Sequence, residues 1–358
     1  MRKLRKRLSP LCYLKNGDLL AYRYGVFCIL HADTFVVKKK IKSFFGFSEK
    51  YLSRIGLLYR LLRLGVRNSI PLDNNLVLIF VQKKFYELNI ETGSMKMVYE
   101  PEPGIRALNI SHIQNVQGFD DRIVFGGYLS NSNKNPVSIY GYNNKSFEII
   151  YTFPENTINH IHNIVADSFN KCVWIFTGDF GNASAIWKAT ENFTKIAKVF
   201  EDDQKYRACV AWPVDSGVIY ATDAPFYDNS IRFLFNENGT WQTKKIMDVS
   251  GSCIYGCKIQ DKFIFSTAVE PDGRNSSLKK LLLDTTRGIG IKDNCSHLYI
   301  GNLQAGFQDV YRAEKDRVPF LFQFGVLKFP GGENNSSKLL IEHIATREND
   351  CSAIVMDV

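Results

Sequence analysis

The 358-residue chain has no apolar stretch near the roughly 18 residues that a membrane-spanning helix requires. Proline is scarce at 11 residues and glycine, at 25, follows no short period, which excludes collagen-like and proline-rich architectures. Helical periodicity is almost missing after residue 66. Paired cysteine clusters are missing too. The eight cysteines at 12, 28, 172, 209, 253, 257, 295 and 351 lie mostly inside apolar runs such as KCVWIF and RACVAW, so buried reduced thiols are expected rather than a disulfide framework. Cys253 and Cys257 in SCIYGC lack the second pair that a zinc cluster needs.

What is present is a large apolar complement, 45% hydrophobic and 13% aromatic, enough for an extensive core and too much for disorder. The net charge of +9 is concentrated at the start, MRKLRKR. A secretory signal would need an uninterrupted apolar segment next, and Pro10, Lys15, Asn16 and Asp18 break it. The expected location is therefore cytoplasmic, with peripheral contact at the inner membrane surface through the basic residues 1–10 and a basic amphipathic helix at 48–65. That helix, within an insertion at 44–66, has apolar residues at 51, 52, 55, 58, 59 and 62, with Arg54, Arg60, Arg63 and Arg67 on or near its polar side. No nucleic-acid-binding motif accompanies the charge, and no nucleic-acid partner is expected.

Short apolar runs punctuated by Asn, Asp and Gly dominate the rest and predict an all-β fold. The runs LVLIFVQ (76–82), RIVFGGY (122–128), VWIFTGD (173–179), VIYATDA (218–224) and KFIFSTA (262–268) superpose at steps of about 44 to 51 residues, the span of a four-stranded propeller blade. LLAYRY (19–24) and PFLFQF (319–324) extend the series. The chain thus reads as a single β-propeller domain over 1–358 with seven four-stranded blades, or six if a terminal unit is irregular. The first unit reads as lacking its inner strand, which the C-terminal run CSAIVMDV (351–358) would supply.

In a blade whose strands run outward from first to fourth, the second-to-third loop and the connection to the next blade share one face. That face collects Tyr128, Asp179 and Asp223 from the ends of second strands. The starts of the inner strands add Arg106, His160, His162, Tyr206 and Arg207, and the adjoining loops add Tyr227, Asp228, Asn229 and Glu270. A polar funnel with aromatic rings suits a sugar, and glycosidic bond cleavage needs two groups on opposite sides of the ring. Asp179, Asp223 and Tyr128 are the catalytic candidates; Arg106, His160, His162, Tyr206, Arg207, Tyr227, Asn229 and Glu270 are the substrate-binding candidates. Plainer roles compete with these. Asp179 and Asp223 can cap turns, Arg207 can pair ions between blades, and Trp174, Trp187 and Trp212 can pack blades. No cofactor is expected. His160 and His162, alternating on one strand face, form a metal pair only with a third ligand. His31, His112, His297 and His343 show no grouping.

AIWKATENFTK (185–195) and LFNENGTWQT (234–243) resemble degenerate S-x-D-x-G-x-T-W hairpins of the sialidase-like, Asp-box (BNR-type) propellers. The strings NHIHNIVADSFNKCVWIFTGD, QKYRACVAW and YATDAPFYDN are similar to a branch of such propellers associated with bacterial polysaccharides, over about residues 60–230. Sialidases carry an Arg-Ile-Pro signature that is absent here, since Asn68 and Ser69 separate Arg67 from Ile70-Pro71. The resemblance implies a carbohydrate-active propeller, a sialidase-like glycoside hydrolase that cleaves or transfers a glycosidic bond of an acidic bacterial polysaccharide or oligosaccharide. The alternatives are a His/Tyr-dependent polysaccharide lyase and a non-catalytic propeller that binds a glycan or a protein.

Overall fold

The computed structural model describes residues 2–143, 145–272 and 282–358. The fold is a seven-bladed β-propeller of four-stranded antiparallel blades with a short helical insertion. The chain divides into two units, residues 98–249 and residues 1–97 with 250–358.

The unit at 98–249 contains blades 3, 4 and 5. Blade 3 comprises Arg106–Ile113, Arg122–Tyr128, Val137–Tyr142 and Phe147–Phe153. Blade 4 comprises His160–Asp167, Cys172–Gly178, Ala185–Thr190 and Lys195–Glu201. Blade 5 comprises Ala208–Val214, Gly217–Thr222, Asn229–Glu237 and Thr240–Val249. Burial follows strand order. Every residue of the second strand CVWIFTG is buried, because both of its faces are covered, whereas the fourth strand KIAKVFE meets solvent along one edge. Trp174 anchors this packing: it is fully buried, crosses Trp241 edge-on at 4.7 Å, and donates its indole N–H to Asp167 Oδ2 at 2.8 Å.

The first strands do not run regularly. Pairing slips between Ala107 and Ile110 in blade 3, between Ile161 and Asn163 in blade 4, and between Ala208 and Val210 in blade 5. Each slip leaves residues outside the strand register and turned out of the pleat. Those residues include Asn109, His162 and Cys209. They meet: Asn109 Nδ2 donates to the carbonyls of His162 (2.9 Å) and Cys209 (3.2 Å).

The other unit holds blade 1 (Ser9–Tyr13, Leu19–Arg23, Val26–Leu30, Val37–Lys42), most of blade 2, blade 6 and blade 7. Blade 1 possesses its own inner strand, Ser9–Tyr13, contrary to the sequence reading. The C-terminal strand Ser352–Asp357 belongs instead to blade 7, between Lys338–Ile344 and the N-terminal strand Arg2–Lys6. The basic N-terminus is thus an outer strand; the side chains of Arg2, Lys3, Arg5 and Lys6 lie outside the described residues. PFLFQF is also not a strand. Phe320–Phe322 form a single 3-10 turn, and the second strand of blade 7 is Lys338–Ile344, where apolar content alone misplaced it.

The expected helix at 48–65 is three short pieces, Phe47–Lys50, Leu52–Arg54 and Gly56–Leu61, broken at Ile55, whose ψ of 112° is extended. Its charges serve tertiary contacts. Buried Glu49 accepts the Gly65 N–H at 3.0 Å and the Tyr22 hydroxyl at 2.9 Å, pinning the two ends of the insertion together. Arg60, expected on a polar face, is buried and donates to Asp316 at 2.5 Å and to the Phe322 carbonyl at 2.6 Å. Two breaks, at Tyr51 and Ile55, and an inward Arg60 leave no continuous basic face. His297 is also grouped, lying between Asp293 and Asp309 at 2.9 and 2.8 Å. Among the described residues, no helix is long and apolar enough to cross a membrane.

Two predictions follow from this packing. Trp174→Ala removes a buried ring and one of the hydrogen bonds to the buried Asp167 carboxylate, which keeps those from Asn170, so it should cost about 3–5 kcal/mol and lower the thermal midpoint by several degrees. An unchanged melting curve would contradict the anchoring role. In the other unit, burial holds the Glu342 carboxyl above its ordinary range, with Lys328 and Ser9 opposing only in part and Asp350 adding to the shift. The folded state therefore keeps a proton that the unfolded chain releases, so this group costs stability as pH rises from the usual glutamate range. Glu342→Gln should raise the melting temperature more at pH 8 than at pH 4.5; an equal effect at both would refute the assignment.

Candidate functional site

Blades 4 and 5 bring five of the predicted residues together. His160 and His162 come from the start of the first strand of blade 4, Asp179 from the end of its second strand, Arg207 from the residue before the first strand of blade 5, and Asp223 from the end of that blade's second strand. The bulge at His162 changes the usual alternation. It brings His162 Nε2 to 2.9 Å from His160 Nε2.

Arg207 Nη2 lies 3.1 Å from Asp179 Oδ1 and 3.4 Å from Asp223 Oδ2. The two carboxylates therefore converge on one guanidinium nitrogen. Asp179 Oδ1 is also 3.2 Å from His160 Nε2 and 3.6 Å from His162 Nε2. Burial works against its charge, but the polar contacts with His160 and His162 and the Arg207 guanidinium outweigh that cost and hold its carboxyl far below the usual range. Asp179 stays ionised and, at 34% side-chain exposure, remains reachable.

Asp223 is buried, accepts from the Cys209 thiol at 3.2 Å, and faces His162 Nδ1 at 3.8 Å. Its position suits it to holding Arg207 rather than to meeting a ligand. Burial lowers the His162 pKa, with His160 and Arg207 adding to that effect and Asp179 and Asp223 opposing it. Tyr128 packs its ring 4.3 Å from His160, and burial raises its phenol so that it stays protonated.

The backbone of this rim is fixed by amides. Asn159 accepts the Asp179 N–H at 3.1 Å, Gln204 donates to the Asp179 carbonyl at 2.8 Å, and Asn131 and Asn159 exchange side-chain to main-chain bonds at 3.0 and 2.8 Å. Beside the cluster, Phe180 lies under Arg207 at 5.4 Å and stacks on Phe226 at 5.8 Å. Phe180 and Gln204 also line a cavity of about 640 Å³ whose wall includes Asp203, Lys205, Tyr227, Asp228 and Arg232.

The remaining candidates are placed differently. Arg106 is exposed at the start of blade 3, in register with Tyr128. Tyr206 stacks on Phe200 at 4.7 Å and packs into the core. Asn229 is fully buried and closes its own turn, bonding Ala224 N, Ala224 O, Tyr227 O and the Thr222 hydroxyl. Glu270 belongs to the other unit. Trp174 and Trp187 pack within their blades. Sequence reasoning missed Cys209, Asn109, Asn159 and Gln204; the shared position of Asn109 in blade 3 and Cys209 in blade 5 was the available signal for two of them.

No family model matches the chain, and no curated protein matches it. Solved structures similar to it are propellers of low identity. The β-propeller domain of Myceliophteria thermophila Cps50 (Swd1) is 10% identical with a TM-score of 0.54, covering 100% of this chain and 98% of that one. The AfRom2 CNH domain is 6% identical with a TM-score of 0.55, covering 100% and 96%. A chain of the mitotic checkpoint complex is 8% identical with a TM-score of 0.55, covering 98% and 90%. These likenesses show the propeller fold and do not single out the sialidase-like branch.

One glycine tests the geometry. A Cβ on Gly178 would lie 2.6 Å from His162 Cε1, so Gly178→Ala must displace that ring. The variant should keep its far-UV circular dichroism yet shift the His160 and His162 ring signals in NMR spectra; unshifted rings would contradict the packing.

Proposed function

We propose that the protein is a carbohydrate-active enzyme that cleaves or transfers a glycosidic bond, with Asp179 as its reacting carboxylate. One observation carries this reading: a solvent-reachable carboxylate held ionised at Asp179, next to Phe180, which lines a cavity that offers both aromatic rings and polar groups. Phe180 and Tyr227 are exposed rings on which the apolar face of a sugar can stack, while Lys205, Arg232, Asp203 and Asp228 suit its hydroxyls. The Asp-box resemblance in the sequence supports the same class.

The geometry changes the roles expected of the pair. Both carboxylates meet one arginine, so the two do not face each other across a sugar ring as an acid and its partner. Asp179 is the negative group that attacks, or that accepts a proton. Tyr128, kept neutral by burial, is the proton donor in this reading. A proton taken next to a uronic carboxylate, with Arg207 facing that carboxylate, would make the same groups a lyase.

The test is mass spectrometry of a panel of acidic and neutral polysaccharides incubated with the wild type, Asp179→Asn and Tyr128→Phe. Product from the wild type, reduced about a hundredfold or more in each variant, is expected. A product mass higher by one water marks hydrolysis, and an unsaturated product marks elimination. Retained glycan binding without turnover in all three proteins would overturn the catalytic reading and leave a sugar-binding propeller.

A further inference from the structure

We propose that His160, His162 and Asp179 bind one first-row transition dication of the zinc type. The inference goes beyond the glycan reading and does not depend on it. His160 Nε2, His162 Nε2 and Asp179 Oδ1 form a triangle with edges of 2.9, 3.2 and 3.6 Å. Donors bound tetrahedrally at about 2.0–2.1 Å stand about 3.3 Å apart, so an ion at the apex needs only small adjustments.

Proton placement points the same way. His160 Nδ1 lies 3.0 Å from the Leu129 carbonyl, which can only accept, so the His160 proton sits on Nδ1 and the lone pair of Nε2 faces His162. His162 is 1% exposed, and its Nδ1 makes no hydrogen bond; the nearest carboxylate oxygen, Asp223 Oδ2, is 3.8 Å away. A single proton on His162 satisfies neither side. On Nδ1 it leaves two imidazole lone pairs facing each other at 2.9 Å, beside an anionic oxygen. On Nε2 it leaves the Nδ1 lone pair turned toward the buried Asp223 carboxylate. A cation shared by both Nε2 atoms and Asp179 resolves the conflict and lets Nδ1–H point at Asp223.

The outer contacts then match those of a metal site. One ligand histidine is oriented by a backbone carbonyl and the other by a carboxylate, the usual way that tautomer and ring orientation are fixed. Two imidazoles with one carboxylate favour zinc and its neighbours over calcium or magnesium, which take oxygen ligands. The partial exposure of Asp179 leaves coordination positions open for water or a ligand. Arg207 shares Asp179 Oδ1 and so competes with the ion for that oxygen.

The experiment is titration of chelator-stripped full-length protein with Zn²⁺ against a chromophoric competitor, with Co²⁺ absorption as the geometric readout. One ion per chain is expected, with the visible bands of cobalt held by nitrogen and oxygen donors. His160→Gln and Asp179→Asn should each weaken binding at least about tenfold. His112→Gln, which pairs with Asp121 away from the cluster, should not change it. Arg207→Gln should bind at least as tightly as the wild type. If His160→Gln fails to fold, the half-exposed Asp179→Asn decides alone. Substoichiometric uptake, or equal affinity in the wild type and Asp179→Asn, would overturn the site whatever the glycan assay returns. A stoichiometric site in a protein that turns over no glycan would leave the inference standing and remove only the functional reading.

Discussion

The rim of blades 3 to 5 depends on one guanidinium. Arg207 lies between Asp179 of blade 4 and Asp223 of blade 5 and is the one cation that both carboxylates face. Removing one partner of a buried ionic group leaves an uncompensated charge, which costs far more than the intact group contributes. The two histidines fill the remaining space around Asp179, and the Asn159 and Gln204 amides fix its backbone. Stability at this rim and the ionised state of Asp179 therefore have a common origin.

The slipped pairing of the inner strands explains how a repetitive fold makes a local site. A regular strand sends alternate residues to opposite faces, which limits how many polar groups can gather at one end. The extra residues at these bulges are Asn109 among those of blade 3, His162 in blade 4 and Cys209 in blade 5. Asn109 ties the backbones of the other two, and Asn163 adds a bond to the Cys209 carbonyl at 2.9 Å. The same architecture with other residues at these positions would have the blades without the cluster, which is why similarity at 6–10% identity conveys the fold and nothing of the chemistry.

The blades were legible because second strands are buried on both faces and so write near-continuous apolar runs, from LVLIFVQ to KFIFSTA, at an even spacing. Two readings failed where that signal is ambiguous. PFLFQF is apolar enough for a strand but makes a turn, and the true second strand of blade 7 carries Glu342 and His343 within it. The 48–65 segment has helical spacing, but Glu49 and Arg60 are drawn into buried contacts with residues distant in sequence, which periodicity cannot foresee. At the site, Asp179, Asp223, His160, His162 and Arg207 followed from the repeat alignment alone. The burial of Asp223 and the turn-closing role of Asn229 did not, because both depend on which neighbour a side chain reaches.

A double-mutant cycle on Arg207 and Asp179 tests the central claim most directly, using Arg207→Gln, Asp179→Asn and the double variant compared in unfolding free energy. The account predicts coupling of about 1 kcal/mol or more, with the double variant less destabilised than the sum of the single ones. Additive effects would mean that the two residues do not hold each other, and that the ionised carboxylate at this rim has another origin.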